Sequence, residues 1–87
     1  MIIVNQDRDM IVNFDNIVNV YIKHSPNEKP DIRVNTLQDL ELCLGSYTTE
    51  ERAGQILDDI VYEYKKYSLD NKGSIKIDSK VYKMPLE

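Results

Sequence analysis

Only one stretch of this chain carries a helical apolar period, and it follows a run of segments that alternate like strands. Ala53, Ile56, Leu57, Ile60, Val61 and Tyr64 recur at steps of three and four, which lays a single apolar stripe along a helix. Ahead of them, Thr48-Thr49-Glu50-Glu51 has capping-box spacing: the Thr48 hydroxyl can accept from the Glu51 backbone, and the Glu51 carboxylate can reach back to Thr48. Glu50 and Glu51 fall in the first turn and Lys65 and Lys66 in the last, each where the helix dipole favours its charge. The spacing predicts a helix from about Thr49 to about Tyr67, with Asp70-Asn71-Lys72-Gly73 turning the chain. One helix can cover one face of one sheet, so every other segment has to be read against that limit.

The segments before the helix are short and cut by polar turns. Ile2–Val4 and Met10–Phe14 read as strands joined by Asn5-Gln6-Asp7-Arg8-Asp9. Ile17–Lys23 is a third, with Val18, Val20 and Ile22 on one face and Asn19, Tyr21 and Lys23 on the other. The loop from His24 to Pro30 holds two prolines and cannot continue a ladder. Ile32–Thr36 and Leu40–Leu44 alternate as a hairpin, which places Leu40, Leu42 and Leu44 together. After the helix, Ile75 and Ile77 suggest a short strand and Val81–Met84 another. The pattern therefore predicts an α+β fold: an antiparallel sheet of five to seven short strands, one amphipathic helix packed on one face, and the order β-β-β-β-β-α-β.

At 87 residues the chain is one domain, read here as residues 1–85, with Leu86–Glu87 given no role as a possible cloning scar. A chain of this size buries only about 60% of its unfolded surface, which leaves little room for a deep catalytic cleft. Fifteen acidic against 11 basic residues give a net charge of −4, which argues against nucleic acid and against an anionic membrane surface. The lone Cys43 fits a reducing compartment, and neither a leader pattern nor a membrane-length apolar run is present in the sequence. A cytoplasmic location is the expectation.

Four stretches recur together in one group of proteins: Ile2-Ile3-Val4-Asn5-Gln6, Val12-Asn13-Phe14-Asp15-Asn16-Ile17, the segment from Leu44 to Ala53, and Tyr82-Lys83-Met84-Pro85. The chain resembles a group of short uncharacterised proteins encoded by Gram-positive bacteria, their phages and mobile elements. The resemblance spans nearly the whole chain in order. It implies the same strand-rich sheet with one helix, and it implies no activity and no active-site residues.

Catalytic and metal readings fail on residue types. His24 is the only histidine and sits beside Ser25 in a proline-bounded loop, where adjacent side chains do not face one another as a triad requires. Cys43 is out of phase with its leucine neighbours and points to the opposite sheet face, as an inert half-buried thiol. One His and one Cys cannot supply the four ligands of a structural zinc site. The Ser68–Ile75 turn places Gly73 and Ile75 as an EF-hand loop does, but its ligand positions fall on Ser68, Asp70, Lys72, Ser74, Lys76 and Ser79, without the terminal glutamate. No cofactor is implied. Gly45 relaxes the backbone between strand and helix, whereas Gly54, inside the helix, costs about 1 kcal/mol relative to alanine, which either a close-approaching backbone or drift without purpose explains.

Two surfaces remain as interaction candidates. One is the acidic side of the helix, Glu50, Glu51, Asp58, Asp59 and Glu63, with Tyr62 as an aromatic anchor. The other is the uncovered sheet face bearing Tyr21, Arg33, Asn35, Glu41 and Cys43. The function expected is a non-enzymatic protein-interaction domain or small accessory factor, able to self-associate through exposed strand edges. The alternatives are a small-ligand or enzymatic domain using Cys43 or His24, and an acidic mimic of nucleic acid that binds a basic protein.

Overall fold

A computed structural model describes residues 1–71 and 80–87 of the chain. Among them the elements run β1 (Ile2–Val4), β2 (Ile11–Asn13), β3 (Ile17–Lys23), β4 (Asp31–Thr36), β5 (Glu41–Ser46), α1 (Glu50–Asn71) and β6 (Val81–Lys83). The α+β class and the order of strands around one helix are those the sequence pattern predicts. The strands do not share one sheet, however: β2-β1-β6 form one of three strands and β3-β4-β5 another. β6 runs parallel to β1, while the remaining pairs are antiparallel. The strand expected at Ile75 and Ile77, and the Ser68–Ile75 turn from Lys72 onward, lie outside the described residues.

Side chains of the turns explain the division. Buried Asn5 closes the β1–β2 hairpin: its Oδ1 accepts from the backbone N–H groups of Asp9 and Met10 at 3.0 Å each, and its Nδ2 donates to Asp9 at 2.8 Å. Arg8 takes the left-handed conformation this turn needs (φ 63°). After β2, the Asn13 side chain accepts from the Asp15 N–H at 3.0 Å and caps a single 3-10 turn over Phe14–Asn16. That turn ends one sheet, and the chain enters the next at Ile17.

Two bulges then correct the simple alternation. In β3, Ile17 pairs with Thr36 and Val20 with Val34, so Val18 and Asn19 together oppose Asn35. The extra residue sends Val18 to solvent (62% exposed), not to the inner face where alternation placed it. In β5, Ile32 faces Gly45 and Arg33 faces Cys43, which leaves Leu44 as the extra residue. Leu44 stays buried, and its carbonyl, freed from the β4 ladder, accepts from the Gln6 N–H at 2.8 Å. Leu40 lies in the Thr36–Leu40 turn and is exposed, so it does not share a face with Leu42 and Leu44 as expected.

The helix also differs at both ends. Its first turn is capped by Thr49, whose Oγ1 accepts from the Arg52 N–H at 3.1 Å, so the expected Thr48–Glu51 box is displaced by one residue. Arg52 then occupies the position where a box needs a glutamate. At the other end α1 runs to Asn71, four residues beyond the expected stop, because nothing before Gly73 breaks a helix. Lys65 and Lys66 therefore lie inside the helix, not in its last turn.

One hydrophobic cluster joins the layers: Ile3, Val12 and Met84 from the first sheet, Ile32, Val34 and Leu44 from the second, and Ala53, Ile56 and Ile60 from α1. Tyr47 completes it at the junction of β5 and α1, 2% exposed, and burial pushes its hydroxyl pKa up to about 12. That hydroxyl donates to the Pro85 carbonyl at 2.7 Å. Gln6 donates to the Leu86 carbonyl and Arg52 to that of Glu87, so residues 85–87 are held by three different elements.

Gly45 is required at this junction, because a Cβ there would stand 2.9 Å from Tyr47 Oη and 3.0 Å from Gln6 Cβ. Gly45→Ala is expected to lower stability by about 1–3 kcal/mol, read as a shift of the urea unfolding midpoint without change in slope. An unchanged midpoint would show that the Tyr47 ring yields freely.

Candidate interaction surface

On the outer face of the β3-β4-β5 sheet, register aligns three rows: Lys23, Asp31 and Ser46; Tyr21, Arg33 and Cys43; Asn19, Asn35 and Glu41. The expected candidates Tyr21, Arg33 and Glu41 do meet here. Arg33 Nη2 donates to Asp31 at 2.9 Å and Nη1 to Glu41 at 3.0 Å, while the Tyr21 hydroxyl donates to the other Glu41 oxygen. Ser46 donates to Asp31 at 2.5 Å, and Lys23 stands 3.8 Å from Glu41. The Ser46 hydroxyl is the chief reason the Asp31 carboxyl is held below its ordinary 3.8; burial opposes the shift and Arg33 and Lys23 assist it. This face is occupied by its own network.

The acidic side of α1 is dispersed. Glu50 contacts His24 Nδ1 at 2.8 Å beyond the end of β3. Glu63 turns toward β6 and bonds Lys80 Nζ at 2.5 Å, which lowers its pKa. Glu51, Asp58, Asp59 and Tyr62 remain on the solvent side. The expected single acidic surface with Tyr62 at its centre is thus divided among three directions.

A surface that sequence reasoning assigned to the core lies between β3 and α1. With 22 residues α1 is about 33 Å long, whereas seven-residue β3 spans about 23 Å. Tyr64 nevertheless stands only about 21 Å along the axis from Glu50, so length does not set its exposure. The line through Ala53, Ile56 and Ile60 is buried, whereas on the flank beside it Val61 is 47% and Tyr64 43% exposed. Together with Phe14, Val20, Leu57 and Ile60 they line a groove of ≈ 380 Å³ whose rim carries Lys65. The Phe14 and Tyr64 rings meet at a centroid distance of 5.0 Å and a 36° tilt, which fixes one wall. The available signal was the width of the stripe: Leu57, Val61 and Tyr64 follow a line beside that of Ala53, Ile56 and Ile60.

A second hollow of ≈ 350 Å³ lies at the opposite end of the molecule, among Lys29, Thr48 and Glu87. Its walls include Gln6, Ser46 and Tyr47, whose polar atoms are committed to the junction. His24 and Cys43 lie on the two edge strands or just beyond them, so two strand spacings, about 10 Å, separate the strands that carry them. Cys43 Sγ sits 3.7 Å from the Gly45 carbonyl. Among the described residues no three metal-binding side chains come together, and no helix is long and apolar enough to cross a membrane.

No family model, curated protein or solved structure matches the chain.

Because the folded Asp31 pKa is depressed, the stability it contributes is full above 3.8 and is lost as pH falls through the lower folded value. An NMR titration is expected to place its midpoint below 3.8 and to move it upward in Ser46→Ala. A midpoint that the substitution leaves in place would remove the Ser46 hydroxyl as the cause.

Proposed function

We propose that this chain is a non-enzymatic protein-interaction domain or small accessory factor, and that its contact surface is the apolar groove between β3 and α1. The observation that carries the reading is the exposure of Val61 and Tyr64 in a groove floored by Phe14, Val20 and Leu57. Exposed apolar side chains gathered in one concavity are the usual ground for partner binding, whereas scattered ones are not. The groove offers a partner hydrophobic burial, and a Lys65 rim supplies orientation. A cytoplasmic setting suits the free Cys43, and membership of the phage and Gram-positive group would fit a small accessory role.

The enzymatic alternative is weaker because His24 and Cys43 belong to opposite edges of one sheet, and His24 is engaged with Glu50. The acidic-mimic alternative is weaker because Glu41, Glu50 and Glu63 each already face a basic side chain of this chain.

Affinity capture from the cells that encode the protein, read by mass spectrometry, tests the surface. Wild type is expected to retain a partner, or copies of itself, that Val61→Asp does not retain, while Tyr21→Phe retains it unchanged. Retention that ignores Val61→Asp would move the contact away from the groove.

A further inference from the structure

We propose that the occupant of the groove is a second copy of this chain, docked through α1 in a twofold, antiparallel helix pair. This rests on the groove being the contact surface.

The exposed flank of α1 that borders the groove has its own period. Glu50, Gly54, Leu57, Val61 and Tyr64 follow one another at steps of four, three, four and three, the spacing of a helix–helix seam. This is a different line from the buried stripe of Ala53, Ile56 and Ile60, so α1 carries one seam for its own sheet and a second beside it. Leu57 is half-buried at the groove wall, and Val61 and Tyr64 are open to solvent.

Three features of the seam fit a copy of itself in the antiparallel sense. The first is size. Nothing lies within 4 Å of where a Gly54 Cβ would stand, so the missing side chain serves no packing inside the described residues. When Leu57 of one copy faces Val61 of the other, Gly54 falls opposite Tyr64, the bulkiest member of the seam against the one that leaves space. The helix penalty of Gly54 then has a counterpart across the interface. The second is charge. Glu50, which meets the exposed His24 of its own chain at 2.8 Å but keeps its side chain 70% exposed, stands at the start of the flank and Lys65 beside its far end. In the same alignment Lys65 of one copy comes within one turn of Glu50 of the other, twice by symmetry, whereas a parallel pair would set Glu50 against Glu50. The third is the floor. The Tyr64 ring has one side on Phe14 and remains 43% exposed, so it can bridge its own groove wall and the facing helix.

Sedimentation equilibrium on the full chain, from low micromolar to submillimolar concentration, reads the oligomer directly against the 10.2 kDa monomer mass. A dimer is expected. Val61→Asp, at a position already half open to water, is expected to give a monomer with an unchanged far-ultraviolet spectrum. Lys65→Glu alone reverses both symmetry-related pairs and should weaken the dimer about tenfold. Combining it with Glu50→Lys should restore the dimer. A monomer at every concentration, or a dimer indifferent to both Val61→Asp and Lys65→Glu, would overturn the proposal. If the wild type is a monomer while Val61→Asp still abolishes capture of another protein, the groove stands and only the second copy falls. If neither dimer nor capture responds to Val61→Asp, both fall.

Discussion

The junction built around Gly45 and Tyr47 holds this fold together. Two three-stranded sheets of such small size have little independent stability, since each needs a face to pack on and a partner for its edges. Here the Gln6 backbone donates to the carbonyl of Leu44, while its side-chain amide exchanges two hydrogen bonds with the Ser46 backbone, at 2.9 Å each. A side chain thus completes the ladder where no strand from the other sheet could run. Tyr47 packs its ring over the Cβ-free Gly45 and fixes residue 85 through its hydroxyl. Sheet, sheet, helix start and C-terminal segment all meet within a few residues, and removing the space at Gly45 would force them apart.

The rest of the architecture follows from where that junction puts the helix. α1 leaves β5 directly after Tyr47, is capped at Thr49, and lays Ala53, Ile56 and Ile60 over Ile32 and Val34. Leu57, Val61 and Tyr64 lie on the flank of that buried line and are only partly covered, by Phe14 and Val20. The groove at Val61 and Tyr64 is left where the apolar stripe is wider than the face its own sheet covers. Meanwhile the outer sheet face, lacking a helix, satisfies its polar groups internally. The Asp31–Arg33–Glu41–Tyr21 chain leaves few donors or acceptors free for another molecule, and partly exposed ion pairs of this kind contribute only about 0–1 kcal/mol each. The uncovered face is therefore shielded by polarity, and the covered side carries the apolar opening.

Much of this was legible in the chain. The alternation of Ile32, Val34 and Thr36, the stripe through Ala53, Ile56 and Ile60, and the outward Tyr21, Arg33 and Glu41 were read from periodicity alone, because side-chain direction follows local backbone geometry. What was misread has a common cause. Val18 was assigned inward because a bulge adds a residue without any mark in composition, and Leu40 because the turn bonded by the Thr36 side chain takes in one residue more than alternation suggested. The cap was read at Thr48 from the capping-box spacing, whereas Thr49 supplies it.

The sequence by itself determined the class of fold, the single helix with its buried face, and the alternation of the regular strand β4, all of which are set by contacts within a few residues. Only the tertiary structure decided that the strands divide into two sheets, that Gln6 and Tyr47 join them, and that the helical stripe is half covered and half open. Those outcomes depend on how the elements pack and on hydrogen bonds between residues some forty positions apart, and no local period encodes them.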